Sequence, residues 1–457
     1  MKFITTALLS IITFMPLFAQ YGGGEANPQL QTHQQALEDF QANRFGLFIH
    51  WGPVALRGEE ISWSRGKAIP VAEYDNLYHE FNPVLFDAAE WVKTAVDAGM
   101  KYIVLTSKHH DGFCLWDSKF TEYDMSNSPY QQGVIDALAD ECKKQGIELG
   151  FYYSVCDWHH PDYPVDYPYP ANGARSGSYS DHPEAEAKMD RYITYMKNQL
   201  KELVDNYDPF VIWFDGEWEW AWTHEMGMDL YQYLRGLKND LLINNRVDKG
   251  RRGMSGITES SIYAGDFATP EQEIGKFDNN NPWETCMTIG TQWAWKPNDK
   301  LKSSEECLQT LIRTVGGDGN LLFNVGPMPD GRIEQRQQDL LQEMGDWLKI
   351  NGEAVYGTRG GPFLPTDYMV STRKDQKIYL HLFSLPENQL HLPFKKGVKI
   401  QKAYLLNGGG SLEASQQKDG SIEIQFPDGL PEQAATVVVL ELNKPSKDLE
   451  IIERIRY

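Results

Sequence analysis

Eight short, nearly unbroken apolar runs, separated by stretches with helical periodicity, constrain this chain more than any other feature. The runs are Phe45–His50, Tyr102–Thr106, Leu149–Ser154, Phe210–Asp215, Leu241–Asn245, Ser261–Gly265, Thr288–Gln292 and Leu321–Val325. A strand with one wet face alternates apolar and polar residues, whereas a continuous apolar run suits a parallel strand buried on both faces. Between them, Ala88, Trp91, Val92, Ala95 and Val96 recur at helical spacing, and Gly99 stands where a C-terminal cap belongs. Ile135, Leu138, Ala139 and Cys142 repeat the pattern before Gly146, as do Leu308, Leu311, Ile312 and Val315 before Gly316. Alternation of this kind predicts an α/β fold, a (β/α)8-like barrel over residues 20–356. That span exceeds the ~250 residues typical of such barrels, so some loops are elaborated. Asp157–Asp181, rich in Pro, Tyr and Gly, is one.

Beyond Gly360 the texture changes. Ile378, Leu380 and Leu382 alternate with their neighbours, Ile422, Ile424 and Phe426 follow the turn signal Asp419-Gly420, and Thr436–Leu442 is a β-branched run. Short strands between turn residues predict a C-terminal β-sandwich over residues 360–457. At the other end, Lys2 precedes the apolar run Phe3–Phe18, and Ala19 before Gln20 suits cleavage, although Leu17 is larger than the position prefers. Residues 1–19 are therefore expected to be an export signal rather than a membrane anchor, since the run is short for a bilayer. The expected product is secreted or periplasmic, without a membrane span once the signal is removed.

Composition narrows the function classes. With 23% charged and 41% hydrophobic residues the chain is not disordered as a whole. A formal net charge of −21 opposes the phosphate attraction on which nucleic-acid binding relies, so nucleic acid is not an expected partner. Aromatic residues reach 12%, with 13 Trp and 23 Tyr, which fits stacking on sugar rings as well as an aromatic-rich core. The five cysteines, Cys114, Cys142, Cys156, Cys286 and Cys307, form neither a disulfide framework nor a C-x-x-C zinc pattern. Buried free thiols are expected.

In such a barrel, chemistry sits at the C-terminal ends of the strands. Those ends carry His50, Lys108-His109-His110-Asp111, Tyr152-Tyr153, Asp215, Asn245-Arg246, and Asp266 with Glu271. Asp215 closes Val211-Ile212-Trp213-Phe214-Asp215-Gly216. A helix N-cap is the competing reading, but Gly216-Glu217-Trp218-Glu219-Trp220 does not start a helix cleanly. A retaining glycosidase needs a second carboxyl held protonated, and Glu271, Glu273 and Glu284 are the candidates.

Six motifs in order then resemble one family. Phe48-Ile49-His50-Trp51-Gly52, Lys108-His109-His110-Asp111-Gly112-Phe113, Gly150-Phe151-Tyr152-Tyr153-Ser154, Trp213-Phe214-Asp215, Asn245-Arg246 and Trp283-Glu284-Thr285-Cys286 are similar to those of the α-L-fucosidases of glycoside hydrolase family 29. The resemblance covers about residues 35–355 and, with the N-terminal signal, implies an exported bacterial member. It implies exo-acting hydrolysis of terminal α-L-fucosyl linkages by double displacement, on fucosylated oligosaccharides or glycoconjugates, without cofactor or metal. By the same resemblance Asp215 matches the nucleophile, and His50, His109, His110, Tyr152 and Arg246 match residues that hold the sugar. Trp213 matches an aromatic beside it. Glu271 matches the acid/base of bacterial members and Glu284 that proposed in others; Glu271 is preferred, with Glu273 a further alternative. Members often carry a Glu-Trp pair after the first strand, where this chain has Ile61-Ser62-Trp63. Trp63 carries over, whereas Glu59 and Glu60 stand slightly earlier and the counterpart of the glutamate stays open.

Three rival readings remain open. An α-L-galactosidase would keep the mechanism and change the sugar. A metal-dependent hydrolase would use His50, His109, His110 and Asp111, although adjacent histidines on a strand point to opposite faces unless a strand-end kink relaxes that. A non-catalytic sugar-binding protein would keep the fold, yet neither Asp215 nor the acid candidates are lost.

Overall fold

Seven parallel strands curl around an apolar axis: β1 Phe45–Ile49, β2 Tyr102–Lys108, β3 Glu148–Ser154, β4 Val211–Asp215, β5 Leu242–Ile243, β6 Glu284–Thr288 and β7 Asn320–Val325. The computed structural model describes residues 32–164, 179, 183–385, 388–394, 397–408, 410–426, 429–430 and 434–452. The predicted signal, residues 1–19, lies outside them, as do residues 165–178 and 180–181 of the predicted loop Asp157–Asp181. The lateral order is β5-β4-β3-β2-β1-β7-β6, and β1, β2, β4 and β7 are buried at every position, as their unbroken apolar runs predict.

Residues 267–271 stand between the two edges of this sheet. Single parallel bridges join Asn244 to Phe267 on one side, and Ala268 to Trp283 and Glu271 to Cys286 on the other. The backbone bonds Asn245 N to Phe267 O (3.0 Å) and Glu284 N to Ala268 O (2.9 Å) complete the contact. Two sequence expectations are corrected here. Ser261–Gly265 is a turn region, with Ile262 58% exposed, and the strand-like path runs a few residues later. Thr288–Gln292 is displaced as well: the strand is Glu284–Thr288, and bends begin at Ile289. Polar Glu284 and Thr285 hid it, because their burial is made tolerable by partners that no local pattern reveals.

The helices follow their sequence signals. Ala88–Asp97 starts at Asp87, whose side chain accepts from Ala89 N and Glu90 N. Val134–Gln145 ends at Gly146 in the left-handed region, φ 72°. Ser304–Gly316 opens with a full capping box between Ser303 and Glu306. No helix among the described residues is long and apolar enough to cross a membrane. All five cysteines are buried free thiols.

The C-terminal part is an antiparallel β-sandwich. Arg359–Gly360, Met369–Lys374, Lys377–Leu382, Thr436–Leu442 and Ile400–Leu405 form one sheet in that order, and Gln389–Leu392, Ile422–Gln425 and Ala414–Gln416 a second. Ile378, Leu380, Leu390, Ile424 and Leu440 pack between them, in a cluster separate from the barrel core. Buried Asp318, after the last turn of Ser304–Gly316, ties the parts together by pairing with Arg44 (2.6 Å) and Arg359 (2.6 Å).

Candidate active site

Strand ends place the site, and the turn after each strand aims its side chains. Asp215 is the last residue of β4. Gly216 comes next at φ 97°, and a Cβ there would lie 2.8 Å from Cys156 Sγ and 3.1 Å from its backbone nitrogen, so a side chain has neither room nor conformation. The chain thus turns sharply away and leaves the carboxylate at the barrel mouth. Asp215 Oδ1 accepts from Arg246 Nη1 (2.8 Å) and Oδ2 from Tyr152 OH (3.0 Å), with His110 Nε2 at 3.6 Å. Burial alone would push the Asp215 carboxyl up, but the guanidinium groups of Arg246, which also donates to it, and of Arg251 hold it below the ordinary range.

Arg246 organises the centre. It is 2% exposed and sits in the short turn Asn245–Val247 after β5. Its Nε donates to Thr269 Oγ1 (2.9 Å) and its Nη2 to Glu271 Oε2 (2.9 Å), while its face lies 4.6 Å from the Trp213 ring. One planar fork therefore holds both Asp215 and Glu271. Glu271 reaches this place because its segment bridges to β6 and its amide donates to Met254 O (2.8 Å). Its side chain is 20% exposed, open to the mouth.

Three histidines line the same space. Burial drives the His50 imidazole down to about 3, His110 to about 4 and His109 well below its usual value, so all three are neutral at pH 7. They offer hydrogen bonds rather than charge. Of the two arrangements open for these adjacent histidines, opposite faces or a strand-end kink, the structure has the kink. The His109 and His110 rings are 4.1 Å apart, because the ladder slips between Thr106 and Lys108 and the strand ends before them. Among the described residues no group of three or more His, Cys, Asp or Glu is arranged to hold a metal ion.

Aromatic walls complete the pocket. Tyr152 stacks on Trp213 (5.7 Å, 19°) and on His109 (5.0 Å, 6°). Trp63 meets His110 (5.7 Å) and Trp158 (5.2 Å) edge-on and lies parallel to Trp218 (6.3 Å, 20°). Opposite, half-buried Trp293 lies 4.8 Å from His50.

The other acid candidates lie elsewhere. Glu284 is the first residue of β6, at the opposite end of the strand from the mouth, and is 1% exposed. Tyr102 OH and Trp213 Nε1 (3.1 Å) each bond one of its oxygens. Burial raises its carboxyl to about 7. Glu273 is exposed and reaches none of these groups in the described contacts. Asp266 is also withdrawn from the site, paired with Arg235 (2.9 Å) and bonded to Ile243 N (2.8 Å).

Several participants escaped the sequence reading. Ser62 occupies the position of the expected glutamate, and its hydroxyl bonds His109 Nδ1 (2.6 Å) and accepts from Asp111 N (2.9 Å). Glu217 is 3% exposed and pairs with Arg251 (2.6 Å) two residues after Asp215. The tryptophans Trp218 and Trp293 and the polar residues Thr269 and Asn324 also face or support the pocket. The aromatic excess and the run Asp215-Gly216-Glu217-Trp218 were the available signals; Asn324 gave none, standing inside an apolar run.

Paired carboxylates, neutral hydrogen-bonding rings and aromatic walls suit a pocket that grips a small polyol and acts on one of its bonds. The comparisons agree with this geometry. Residues 21–353 match the family model described as alpha-L-fucosidase. The human plasma alpha-L-fucosidase is 28% identical over 424 residues, covering 85% of each chain. Among solved structures, alpha-L-fucosidase isoenzyme 1 from Paenibacillus thiaminolyticus is 33% identical with a TM-score of 0.76, covering 90% of this chain and 99% of that one. A Bacteroides thetaiotaomicron GH29 alpha-L-fucosidase, trapped as a covalent intermediate with 2-fluoro-fucosyl fluoride, is 28% identical with a TM-score of 0.79, covering 90% and 96%. With a site of this construction and a family match over most of its length, the chain belongs to the alpha-L-fucosidase family, glycoside hydrolase family 29.

Proposed function

We propose that this chain removes terminal α-L-fucosyl residues from fucosylated oligosaccharides or glycoconjugates, with Asp215 as nucleophile and Glu271 as acid/base. The activity is that of its family, retaining exo-hydrolysis; the assignment of residues rests on the Arg246 fork. Retaining enzymes set their two carboxyl groups about 5–5.5 Å apart, and a guanidinium that grips one with each terminal nitrogen favours a short separation. In the first step Asp215 attacks the anomeric carbon while Glu271 protonates the departing oxygen. In the second, Glu271 takes a proton from water, which attacks the same carbon and releases Asp215.

His50, His109, His110 and Tyr152 bind the sugar's hydroxyls and ring oxygen, while Trp63 and Trp213 offer apolar faces to its ring and methyl group. Glu284 supports Trp213 from below. Its distance from the mouth weighs against an acid role. Support for two modules, a catalytic barrel over 20–356 and a sandwich over 360–457, comes from the two separate apolar clusters. Export to the periplasm or beyond completes the proposal and rests on Lys2 and the run Phe3–Phe18.

The deciding experiment is hydrolysis of a nitrophenyl α-L-fucoside with the first-formed sugar followed by proton NMR. The α-anomer should appear first and mutarotate to the β-anomer. First appearance of the β-anomer would refute double displacement.

A further inference from the structure

His50 is held from behind by a relay that begins on another loop. Its Nδ1 lies 2.6 Å from Asn324 Oδ1, near the end of β7. The Asn324 amide cannot be turned over, because its Nδ2 donates to the carbonyl of Trp293 (2.8 Å), which only accepts. That carbonyl is itself fixed: the Glu60 carboxylate accepts from Trp293 N (2.9 Å) and Ala294 N (3.1 Å). An oxygen without a proton therefore faces His50 Nδ1, and the ring proton must sit on Nδ1. In a neutral imidazole this leaves Nε2 with a lone pair. Nε2 has no partner among the described residues, and His109, Tyr152 and Trp293 surround the ring at 4.8–5.6 Å.

We propose that Asn324 is a specificity-determining positioning residue that fixes His50 as a hydrogen-bond acceptor, so that the sugar group read by His50 must donate a proton. The inference deepens the proposed function and rests on it for the identity of the sugar. A ring nitrogen with a lone pair repels an ether oxygen, a fluorine or any other group without a hydrogen to give. The group at that position in the substrate is thus a free hydroxyl, and a sugar alkylated or acylated there is rejected electronically as well as by size. A histidine left to choose its tautomer accepts either class of group. The relay also explains why half-buried Glu60, whose carboxyl is pushed up by desolvation, spends its oxygens on the backbone amides of Trp293 and Ala294 as well as on that of Ile61.

The test has one readout independent of turnover. With 15N-histidine in the full chain, the His50 ring, identified by its absence in His50→Gln, should show a protonated Nδ1 and a lone-pair Nε2 between pH 5 and 8. Asn324→Leu should move proton density to Nε2, whereas Asn324→Asp, of the same shape and still an acceptor, should keep it on Nδ1. In parallel, kcat/KM is measured for nitrophenyl α-L-fucosides bearing fluorine or hydrogen in place of the 3- or 4-hydroxyl. At one of these positions fluorine should be no better than hydrogen in the native protein, with a loss of about tenfold for the missing bond. In Asn324→Leu the fluorine-to-hydrogen ratio should rise, because the ring can then donate; intrinsic effects of fluorine cancel between the two proteins. A native His50 protonated at Nε2, or ring signals unchanged in Asn324→Leu, would overturn the proposal. Ring signals as expected with fluorine superior at both positions would overturn its specificity half. Absence of any fucoside turnover would defeat the proposed function while the ring signals still decide the relay.

Discussion

Replacing Glu284 with glutamine should make the protein's stability less dependent on pH, and the sign follows from the burial of this carboxyl. In the fold its acid form is favoured up to about 7, against an ordinary value of 4.5, because burial disfavours the charge and the bonds from Tyr102 and Trp213 compensate only in part. A carboxyl that binds its proton more tightly when folded contributes most stability below its unfolded pKa. That contribution is lost as pH rises through the folded value. The difference of the two values corresponds to about 3 kcal/mol at ~1.4 kcal/mol per pKa unit. Glutamine has the same shape, never ionises, and still presents an oxygen to Trp213 Nε1. Its amide adds a fixed cost where Tyr102 OH now donates, but that cost does not vary with pH and cancels when two pH values are compared. Thermal midpoints of the native protein and Glu284→Gln should therefore converge, or cross in favour of the variant, between pH 5 and 8. Parallel curves would show that Glu284 does not titrate in this window and that the burial argument is wrong.

Other perturbations test the chemistry. Asp215→Ala should lose several orders of magnitude in kcat while keeping its fold, and azide should restore part of the activity with formation of the β-fucosyl azide; near-native activity would end the assignment. Glu271→Ala should spare nitrophenyl fucoside, whose leaving group departs without a proton, and damage a fucosylated oligosaccharide far more. Equal damage to both substrates, or this selectivity in a Glu284 variant instead, would move the acid role. His110→Ala should cost a few kcal/mol at most in kcat/KM, since it removes a neutral hydrogen-bonding ring rather than a charge.

The fold was legible wherever one physical requirement dominated a segment. β1, β2, β4 and β7 needed apolar residues at nearly every position, and their burial on both faces is visible as an unbroken run. Legibility failed where side chains from elsewhere supply the tolerance. Glu284 and Thr285 made β6 look like a loop, and only Tyr102 and Trp213, distant in sequence, make a buried glutamate acceptable there. The path 267–271 was missed for a related reason: isolated bridges, not a ladder, hold it, and Pro270 interrupts any strand pattern. The site divides in the same way. Asp215, His50 and the two histidines after β2 stand at strand ends, a position that marks them. Asn324 acts on His50, Ser62 on His109 and Thr269 on Arg246, from loops and an apolar run, through hydrogen bonds that leave no periodic trace.

Charge balance in the pocket gives these placements a common reason. The transition state of glycosyl transfer carries positive charge on the sugar ring, so a protonated histidine in contact with it would raise the barrier. Burial removes that danger by keeping His50, His109 and His110 neutral, and it costs little because their Nδ1 atoms are bonded to Asn324, Ser62 and Ser154. Arg246 is then the cation that grips both carboxylates. In the proposed cycle its charge is balanced at each stage by one of them. Before attack Asp215 is the anion and Glu271 holds the proton it will give to the leaving oxygen. After attack Asp215 is a neutral ester, and Glu271, having lost its proton, is the anion. Water then returns the system to its first state. The negative charge moves from one branch of the fork to the other while the net charge beneath the sugar stays constant. Arg246 can therefore serve both steps without moving, which a point-charge lysine, lacking two divergent donors on a rigid plane, could not do.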